Sequence, residues 1–240
     1  MMALAGAVLA LSACGQAGGE QSAQDPVTAT PSDAPSGASS PAVAGPERRI
    51  VALGDSLLAG YGLRPEQAYP PRLEAALRSA GINARVVNAG VSGDTTADGL
   101  ARLDFTLSSI ESGGGKVDLL LLSLGGNDML RGLSPAATRA NLEAILGKLD
   151  AHHIPVVLLG MMAAPNMGAD YAKAFDAIYP DLARQHHAAL VPFFMAPING
   201  KPGMQLPDHI HPTPEGVEAM VKATLPTVEG ALPQHPRLPM

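Results

Sequence analysis

The fold is decided by the stretch Ile50-Val51-Ala52-Leu53-Gly54-Asp55-Ser56-Leu57. Its four leading apolar residues predict a β-strand that is buried on both faces. Gly54 and Asp55 end this strand, so the next side chain, that of Ser56, lies at the edge of the sheet. Ligands bind at the carboxyl ends of strands in open α/β sheets. The stretch alone leaves two roles open for Ser56, a nucleophile or the N-cap of the following helix.

Strands and helices alternate along the rest of the chain. Apolar runs predict four more strands, at 84–88, 117–124, 155–160 and 189–194. Apolar residues at helical spacing predict helices at 69–80, 96–110, 134–152, 171–186 and 213–228. This alternation predicts an α/β fold, in which right-handed crossovers join a parallel five-stranded sheet that carries helices on both faces.

Composition excludes several classes of partner. The chain has 240 residues and a formal net charge of −6 without a basic run, so nothing in it favours nucleic acid or an anionic membrane surface. Its length and pattern predict one globular domain at 48–232, followed by a short tail at 233–240. Cys14 is the single cysteine, so an internal disulfide is excluded.

The N-terminal segment has the pattern of a processed leader rather than of a fold. Residues 1–13 form an apolar run that is too short to span a bilayer, although no Lys or Arg precedes it. The stretch Leu11-Ser12-Ala13-Cys14-Gly15 resembles the lipobox of bacterial lipoproteins, which implies lipidation at Cys14. The alternative is a buried cysteine in an apolar helix. Residues 15–47 are rich in Gly, Ala, Ser and Pro, which predicts a disordered tether. We therefore expect a signal peptide at 1–14 and a protein that is secreted or anchored by lipid in the cell envelope.

Polar clusters follow the predicted strands and precede the last helix. They are Gly54-Asp55-Ser56, the loop around Gly93, Gly126-Asn127-Asp128 and Asp208-His209-Ile210-His211. Because parallel strands end at one edge of a sheet, we expect these clusters to converge. A serine needs a base to become a nucleophile, an imidazole can serve as that base, and a carboxylate can orient the imidazole. Backbone N–H groups and an amide could stabilise an oxyanion. The residue types therefore suit acyl transfer.

The same clusters resemble a known family. Gly54-Asp55-Ser56-Leu57 matches the GDSL signature, and Ser56, Gly93, Asn127 and His211 match the four blocks of the SGNH hydrolases. The likeness runs from about Arg49 to the last helix and is greatest to the bacterial multifunctional thioesterase I, arylesterase and lysophospholipase group. It implies a flavodoxin-like three-layer α/β/α fold and no cofactor.

The resemblance also implies a role for each residue. Ser56 would be the nucleophile and His211 the general base and acid, with Asp208 orienting the imidazole. Gly93 and Asn127 would complete the oxyanion hole with the N–H of Ser56. His209 stands where many relatives have glycine, so a second imidazole is a candidate, but the Asp-x-x-His spacing favours His211.

Further side chains near the predicted site leave alternatives open. Asp55 and Asp128 could form a carboxylate pair or a metal site, but we expect them to bond loop backbone instead, and we expect no metal. Methionines that follow the fourth strand could fill the core or line an acyl pocket. The candidate substrate-binding residues are Asp55, Leu133, Met161, Met162 and Met167.

The sequence thus predicts a serine esterase or thioesterase, which we expect to be a monomer whose partner is a small-molecule ester or thioester. One alternative is a carbohydrate O-acetylesterase, which the absence of Trp disfavours. The other is a non-catalytic, surface-anchored binding lipoprotein, which the complete set of site residues disfavours.

Overall fold

The structure is a computed structural model that describes residues 43–233. The five strands are β1 (Arg48–Gly54), β2 (Ala84–Gly90), β3 (Leu119–Ser123), β4 (Val156–Leu159) and β5 (Ala189–Val191). The longer helices are α2 (Tyr69–Ser79), α3 (Thr96–Ser112), α5 (Pro135–Ala151), α6 (Ala169–Asp176), α7 (Ile178–Gln185) and α8 (Pro214–Ala231). Two short helices, α1 (Ser56–Ala59) and α4 (Gly126–Leu130), follow β1 and β3 directly.

The sheet has the order β2-β1-β3-β4-β5, and every pair of neighbours is parallel. This is the doubly wound order. The second strand, β2, lies on one side of β1, and the strands β3, β4 and β5 follow one another on the other side. The helices α2 and α8 pack against each other, as do α3 and α5. The predicted α/β architecture with a parallel five-stranded sheet is confirmed.

The two central strands form the middle of the core. Ile50 to Leu53 in β1 and Leu119 to Leu122 in β3 are fully buried, as a strand covered by helices on both faces requires. In the register of these strands Gly54 lies opposite Ser123, so β1 and β3 end at the same level. The turns after both strands therefore open onto one edge of the sheet.

The predicted helix at 171–186 was wrong in one respect, because two helices occupy this segment. The first, α6, ends at Asp176, and the second, α7, begins at Ile178. Pro180 lies in the first turn of α7, where its missing N–H costs nothing, whereas in one continuous helix its ring would clash with the Asp176 carbonyl. The last strand is also shorter than predicted and ends at Val191, directly before Pro192.

The leader and most of the tether lie outside the described residues. These are the signal peptide at 1–14 with Cys14, the tether as far as residue 42, and the tail from 234 onward. The Gly45 carbonyl accepts a hydrogen bond from Asn83, and Pro233 accepts one from Arg48, so contacts with the domain extend to both ends of the described part. Within residues 43–233 no helix is both long enough and apolar enough to span a membrane.

Candidate active site

Ser56 is the first residue of α1, at the point where β1 ends. The N-cap of this helix is Asp55, whose Oδ1 accepts a hydrogen bond of 3.0 Å from the N–H of Leu57. The interpretation of Ser56 as the N-cap is therefore wrong, because the preceding carboxyl already fills that position. The hydroxyl of Ser56 is left free to face the edge of the sheet.

An imidazole and a carboxylate lie in line with this hydroxyl. His211 Nε2 is 2.8 Å from Ser56 Oγ, and His211 Nδ1 is 2.7 Å from Asp208 Oδ2. The other oxygen of Asp208 accepts hydrogen bonds from the N–H groups of Ile210 and His211. Partial burial opposes ionisation of Asp208, but these hydrogen bonds outweigh it and lower the pKa of the carboxyl to about 2. Asp208 is thus a fixed negative charge beside the imidazole.

The second candidate imidazole, His209, is exposed and does not make this contact. Its backbone is left-handed, with φ of 59°, and its carbonyl accepts a hydrogen bond from Gln205. The left-handed region disfavours any residue with a Cβ, so glycine would be less strained than histidine at this position. The structure therefore brings His211, and not His209, to Ser56.

Asn127 follows β3, in α4, and Gly93 lies in the loop that follows β2. Asn127 shares the lining of a cleft with Ser56 and His211. Its Nδ2 donates a hydrogen bond of 2.9 Å to the carbonyl of Asp94, the residue that follows Gly93. Gly93 has a φ of 90°, a conformation that favours glycine. The two residues are thus linked through one short loop.

Two arginines hold this loop, and the sequence analysis missed both. Arg102 Nε is 2.6 Å from the Asp94 carboxylate, while its Nη2 donates a hydrogen bond of 2.9 Å to the Gly54 carbonyl. Arg131 donates a hydrogen bond of 2.7 Å to the Gly93 carbonyl. The guanidinium of Arg102 therefore ties the end of β1 to the loop of Gly93 and Asp94.

Asp55 and Asp128 are both buried but serve different parts of the backbone. Asp128 accepts hydrogen bonds from the N–H and hydroxyl of Thr96 and from the hydroxyl of Thr138, which ties α4 to α3 and α5. Burial raises the pKa of Asp55 to about 7, against the effect of the N–H of Leu57, and the negative charges of Asp94 and Asp128 raise it further. Each carboxyl has its own partners, as a structural role requires. Within residues 43–233 no three His, Cys, Asp or Glu residues cluster as a metal site.

A cleft of about 430 Å³ extends from Ser56 between the loops that follow β3, β4 and β5. Of the predicted substrate-binding residues, Asp55, Met161 and Met162 line it, whereas Leu133 and Met167 do not. Apolar side chains that the sequence analysis missed complete the wall: Met129, Leu130, Phe193, Met195 and Ile210. The sulfur of Met129 also accepts a hydrogen bond from the N–H of Ala164, which connects α4 to the loop that follows β4. The cleft is therefore largely apolar and rich in methionine.

Serine hydrolases activate their nucleophile with an imidazole that is hydrogen-bonded to the serine hydroxyl and is itself held by a carboxylate. Fold and geometry together define the class of this protein as a serine hydrolase. The family follows from comparison with known proteins. Residues 52–219 match the GDSL-like lipase/acylhydrolase family, and the chain belongs to this family.

Similar proteins have been described in several bacteria. The chain is 39% identical to esterase TesA of Pseudomonas aeruginosa over 183 residues, which are 76% of this chain and 89% of that protein. It is 39% identical to thioesterase 1/protease 1/lysophospholipase L1 of Escherichia coli over 163 residues, 68% of this chain and 74% of that protein. Among solved structures, the SGNH-hydrolase family esterase AlinE4 is 53% identical, with a TM-score of 0.66 over 80% of this chain and 100% of that one. The predicted family is thereby confirmed.

Proposed function

We propose that the protein hydrolyses carboxylic esters and acyl thioesters through an acyl-enzyme on Ser56. The observation that carries this proposal is the continuous line of hydrogen bonds from Ser56 through His211 to Asp208. The names of the relatives, esterase and thioesterase, support the same class of substrate. Aryl esters and lysophospholipids are candidate substrates within that class.

The proposed reaction begins when Ser56 Oγ attacks the carbonyl carbon of the substrate. His211 Nε2 takes the hydroxyl proton, and Asp208 stabilises the imidazolium that results. The N–H groups of Ser56 and Gly93 and the free N–H of the Asn127 amide stabilise the oxyanion. His211 then gives its proton to the departing alkoxide or thiolate. A water molecule releases the acid from Ser56 by the same steps with His211 again as base.

We infer that the cleft binds the acyl group of the substrate. Its wall carries Met129, Met161, Met162 and Met195, whose flexible thioether side chains adapt to different apolar shapes. A carbohydrate O-acetylesterase would instead need polar or aromatic groups that bind a sugar. Asp55, the residue before the nucleophile, also lines this cleft.

The proposal is tested with p-nitrophenyl esters of increasing acyl length and with Ser56→Ala. We expect the variant to lose roughly 10³-fold or more in kcat, because the nucleophile and base act as one unit. Ser79→Ala removes a serine hydroxyl that binds the Ala75 carbonyl in α2 and is the matched control. A fluorophosphonate should label Ser56 in the parent protein only. Equal hydrolysis by Ser56→Ala and the parent would contradict Ser56 as the nucleophile. A parent that neither hydrolyses any of the esters nor takes up the fluorophosphonate would favour a non-catalytic binding lipoprotein.

We also propose that Cys14 carries a lipid that anchors the protein in the cell envelope. The support is the sequence Leu11-Ser12-Ala13-Cys14, which is followed by a segment rich in Gly, Ser and Pro. Radiolabelled palmitate fed to an expressing bacterium should label the parent and not Cys14→Ser. Absence of label from the parent would contradict the anchor and leave the hydrolase proposal unaffected.

A further inference from the structure

A tyrosine that the sequence analysis did not single out lies directly on the imidazole of His211. The ring centroids of Tyr61 and His211 are 4.4 Å apart, and the ring planes are inclined at 35°. Tyr61 is 53% exposed, whereas the side chain of His211 is only 15% exposed. Burial in the core therefore does not account for the position of the tyrosine, but a contact with the imidazole does.

Backbone hydrogen bonds to Ser56 and a glycine on each side of Tyr61 hold the tyrosine in this position. The N–H groups of Gly60 and Tyr61 both donate hydrogen bonds to the carbonyl of Ser56, at 3.1 Å and 3.2 Å. Gly60 and Gly62 have φ values of 85° and 74°, which favour glycine. A Cβ on Gly60 would lie 2.5 Å from the Cβ of Ala68. The tyrosine is thus fixed to the residue that carries the nucleophile.

The second glycine brings this turn against the loop that carries His211. A Cβ on Gly62 would lie 2.7 Å from Leu206 Cδ1, so this turn packs closely against the side chain of Leu206 in the loop that leads to His211. The N–H of Leu206 in turn donates a hydrogen bond of 2.7 Å to the His211 carbonyl. The turn at Tyr61 and the loop of His211 therefore pack as one unit, and the aromatic ring covers one side of the imidazole.

We propose that Tyr61 is a positioning residue that holds the His211 imidazole toward Ser56 and stabilises its charged form through the face of the ring. The inference rests on the proposed function. As Ser56 Oγ bonds to the substrate carbon, its proton passes to His211 Nε2, so a positive charge appears beside the tyrosine ring. Aromatic faces attract cations within about 6 Å. Because the charge is absent before the reaction, this attraction favours the transition state over the ground state.

The ring of Tyr61, rather than its hydroxyl, carries this effect. In the part of the chain that the structure describes, the hydroxyl forms no hydrogen bond, whereas the ring contacts the imidazole. The carboxylate of Asp208 is the other charged group on the imidazole, and it binds the ring edge at Nδ1. The aromatic face and the carboxylate thus act on the imidazole from different directions.

The test compares Tyr61→Phe, Tyr61→Leu and the parent on a short p-nitrophenyl ester. We expect Tyr61→Leu to lower kcat roughly ten-fold, with KM changed by less than about two-fold, and Tyr61→Phe to keep kcat within about two-fold. Phe105→Leu is the matched control, since Phe105 is an aromatic residue that is 76% exposed in α3. Unchanged kcat in Tyr61→Leu would overturn the proposal.

Fluorinated phenylalanines at position 61 separate the electrostatic effect from packing. Each fluorine weakens the negative face of the ring while its size changes little, so kcat should fall stepwise from phenylalanine to the trifluoro form. Equal kcat along the series would overturn the stabilisation of charge. The Ser56→Ala variant distinguishes a failure of the proposed function from a failure of the role of Tyr61. If it retains full activity the proposed function fails, whereas its inactivity together with a fully active Tyr61→Leu overturns the assignment of Tyr61 alone.

Discussion

The side-chain amide of Asn127 is hydrogen-bonded to the carbonyl of Asp94, with 2.9 Å between the nitrogen and the oxygen. This bond joins α4 to the loop that follows β2, and it determines which way the amide faces. An amide nitrogen carries two N–H groups, so the second remains available for an oxyanion in the cleft. The Asp94 carbonyl therefore orients a donor that the proposed reaction requires.

Asn127→Ala should lower kcat by about 10²- to 10³-fold while KM changes by only a few-fold, because an oxyanion donor acts mainly in the transition state. Steady-state kinetics on a p-nitrophenyl ester measure both values. Asn199→Ala is the control, since it removes another amide from the cleft lining. If Asn127→Ala kept more than a third of the parental kcat, the amide would not be an oxyanion donor.

Arg102 should position the same loop, because its guanidinium contacts both the Gly54 carbonyl and the Asp94 carboxylate. A lysine places a single ammonium group there and cannot reproduce this forked contact. We expect Arg102→Lys to lower kcat roughly ten-fold, since small displacements of catalytic groups are costly. Arg184→Lys is the control, because Arg184 pairs with Asp181 on the exposed surface of α7. Equal kinetics of the two variants would contradict a positioning role for Arg102.

The raised pKa of Asp55 should make the protein less stable as pH increases. The pKa of this carboxyl is about 7 in the folded protein, against an ordinary value of 3.8 for a solvated aspartate, so the folded state binds the proton more tightly. Between these values the unfolded chain ionises first, and the free energy of unfolding falls as pH rises. Asp55→Asn keeps an N-cap without the charge. Relative to the parent, the free energy of unfolding of this variant should rise by about 2–3 kcal/mol between pH 5 and pH 8.

Urea unfolding of both proteins at pH 5 and pH 8 measures this difference. Asp98→Asn is the control, because its carboxyl does not titrate between these two pH values. Asp98 caps α3 through Thr95, and its hydrogen bonds with the hydroxyl and N–H of Thr95 lower the pKa of its carboxyl. Asp98 stabilises the folded state when ionised, and both pH values lie above its ordinary pKa of 3.8, so its replacement should cost the same stability at pH 5 and at pH 8. If Asp55→Asn changed the free energy of unfolding equally at pH 5 and pH 8, Asp55 would not be the source of the pH dependence.

Those features of the fold that follow from local pattern were predictable from the sequence. Buried strands such as β1 and β3 are continuous apolar runs, and Gly54 and Gly125 mark the turns where these strands end. Since parallel strands share one carboxyl edge, Ser56 and Asn127 were predicted to lie near each other, and both line the cleft. The break before Ile178 depends on one proline, which helical periodicity alone does not reveal.

Contacts between segments that are distant in sequence could not be predicted in this way. Leu133 and Met167 are predicted cleft residues that do not line the cleft, whereas its wall includes Met129 from α4 and Met195 from the segment after β5. The pattern of a sequence does not give the direction in which a loop side chain faces. Arg102 lies on a helix and has the same local pattern as any exposed arginine, so its contacts with Gly54 and Asp94 became evident only in three dimensions.

The length of the acyl group that is accepted should depend on Met161, which is buried in the wall of the cleft. Met161→Phe would fill part of the cleft and should lower kcat/KM for a decanoyl ester roughly ten-fold or more relative to an acetyl ester. Met167→Phe places the same side chain outside the cleft lining and should leave this ratio unchanged. The melting temperature of each variant reports any overpacking. The same shift in both variants would exclude a specific role for Met161.

His209→Gly should stabilise the protein without loss of activity. His209 has a left-handed backbone with φ of 59°, where a residue with a Cβ is strained by about 1–2 kcal/mol. Glycine relieves this strain, but it also makes the unfolded chain more flexible, and that entropy offsets part of the gain. We expect a net gain of about 0.5–1 kcal/mol in urea unfolding. His153→Gly and His187→Gly are matched controls, since these exposed residues have φ values of 54° and 53° and should gain similarly. The kcat of His209→Gly should equal that of the parent, because His211 provides the imidazole that contacts Ser56. A ten-fold loss of kcat in His209→Gly would instead assign a role in the reaction to His209.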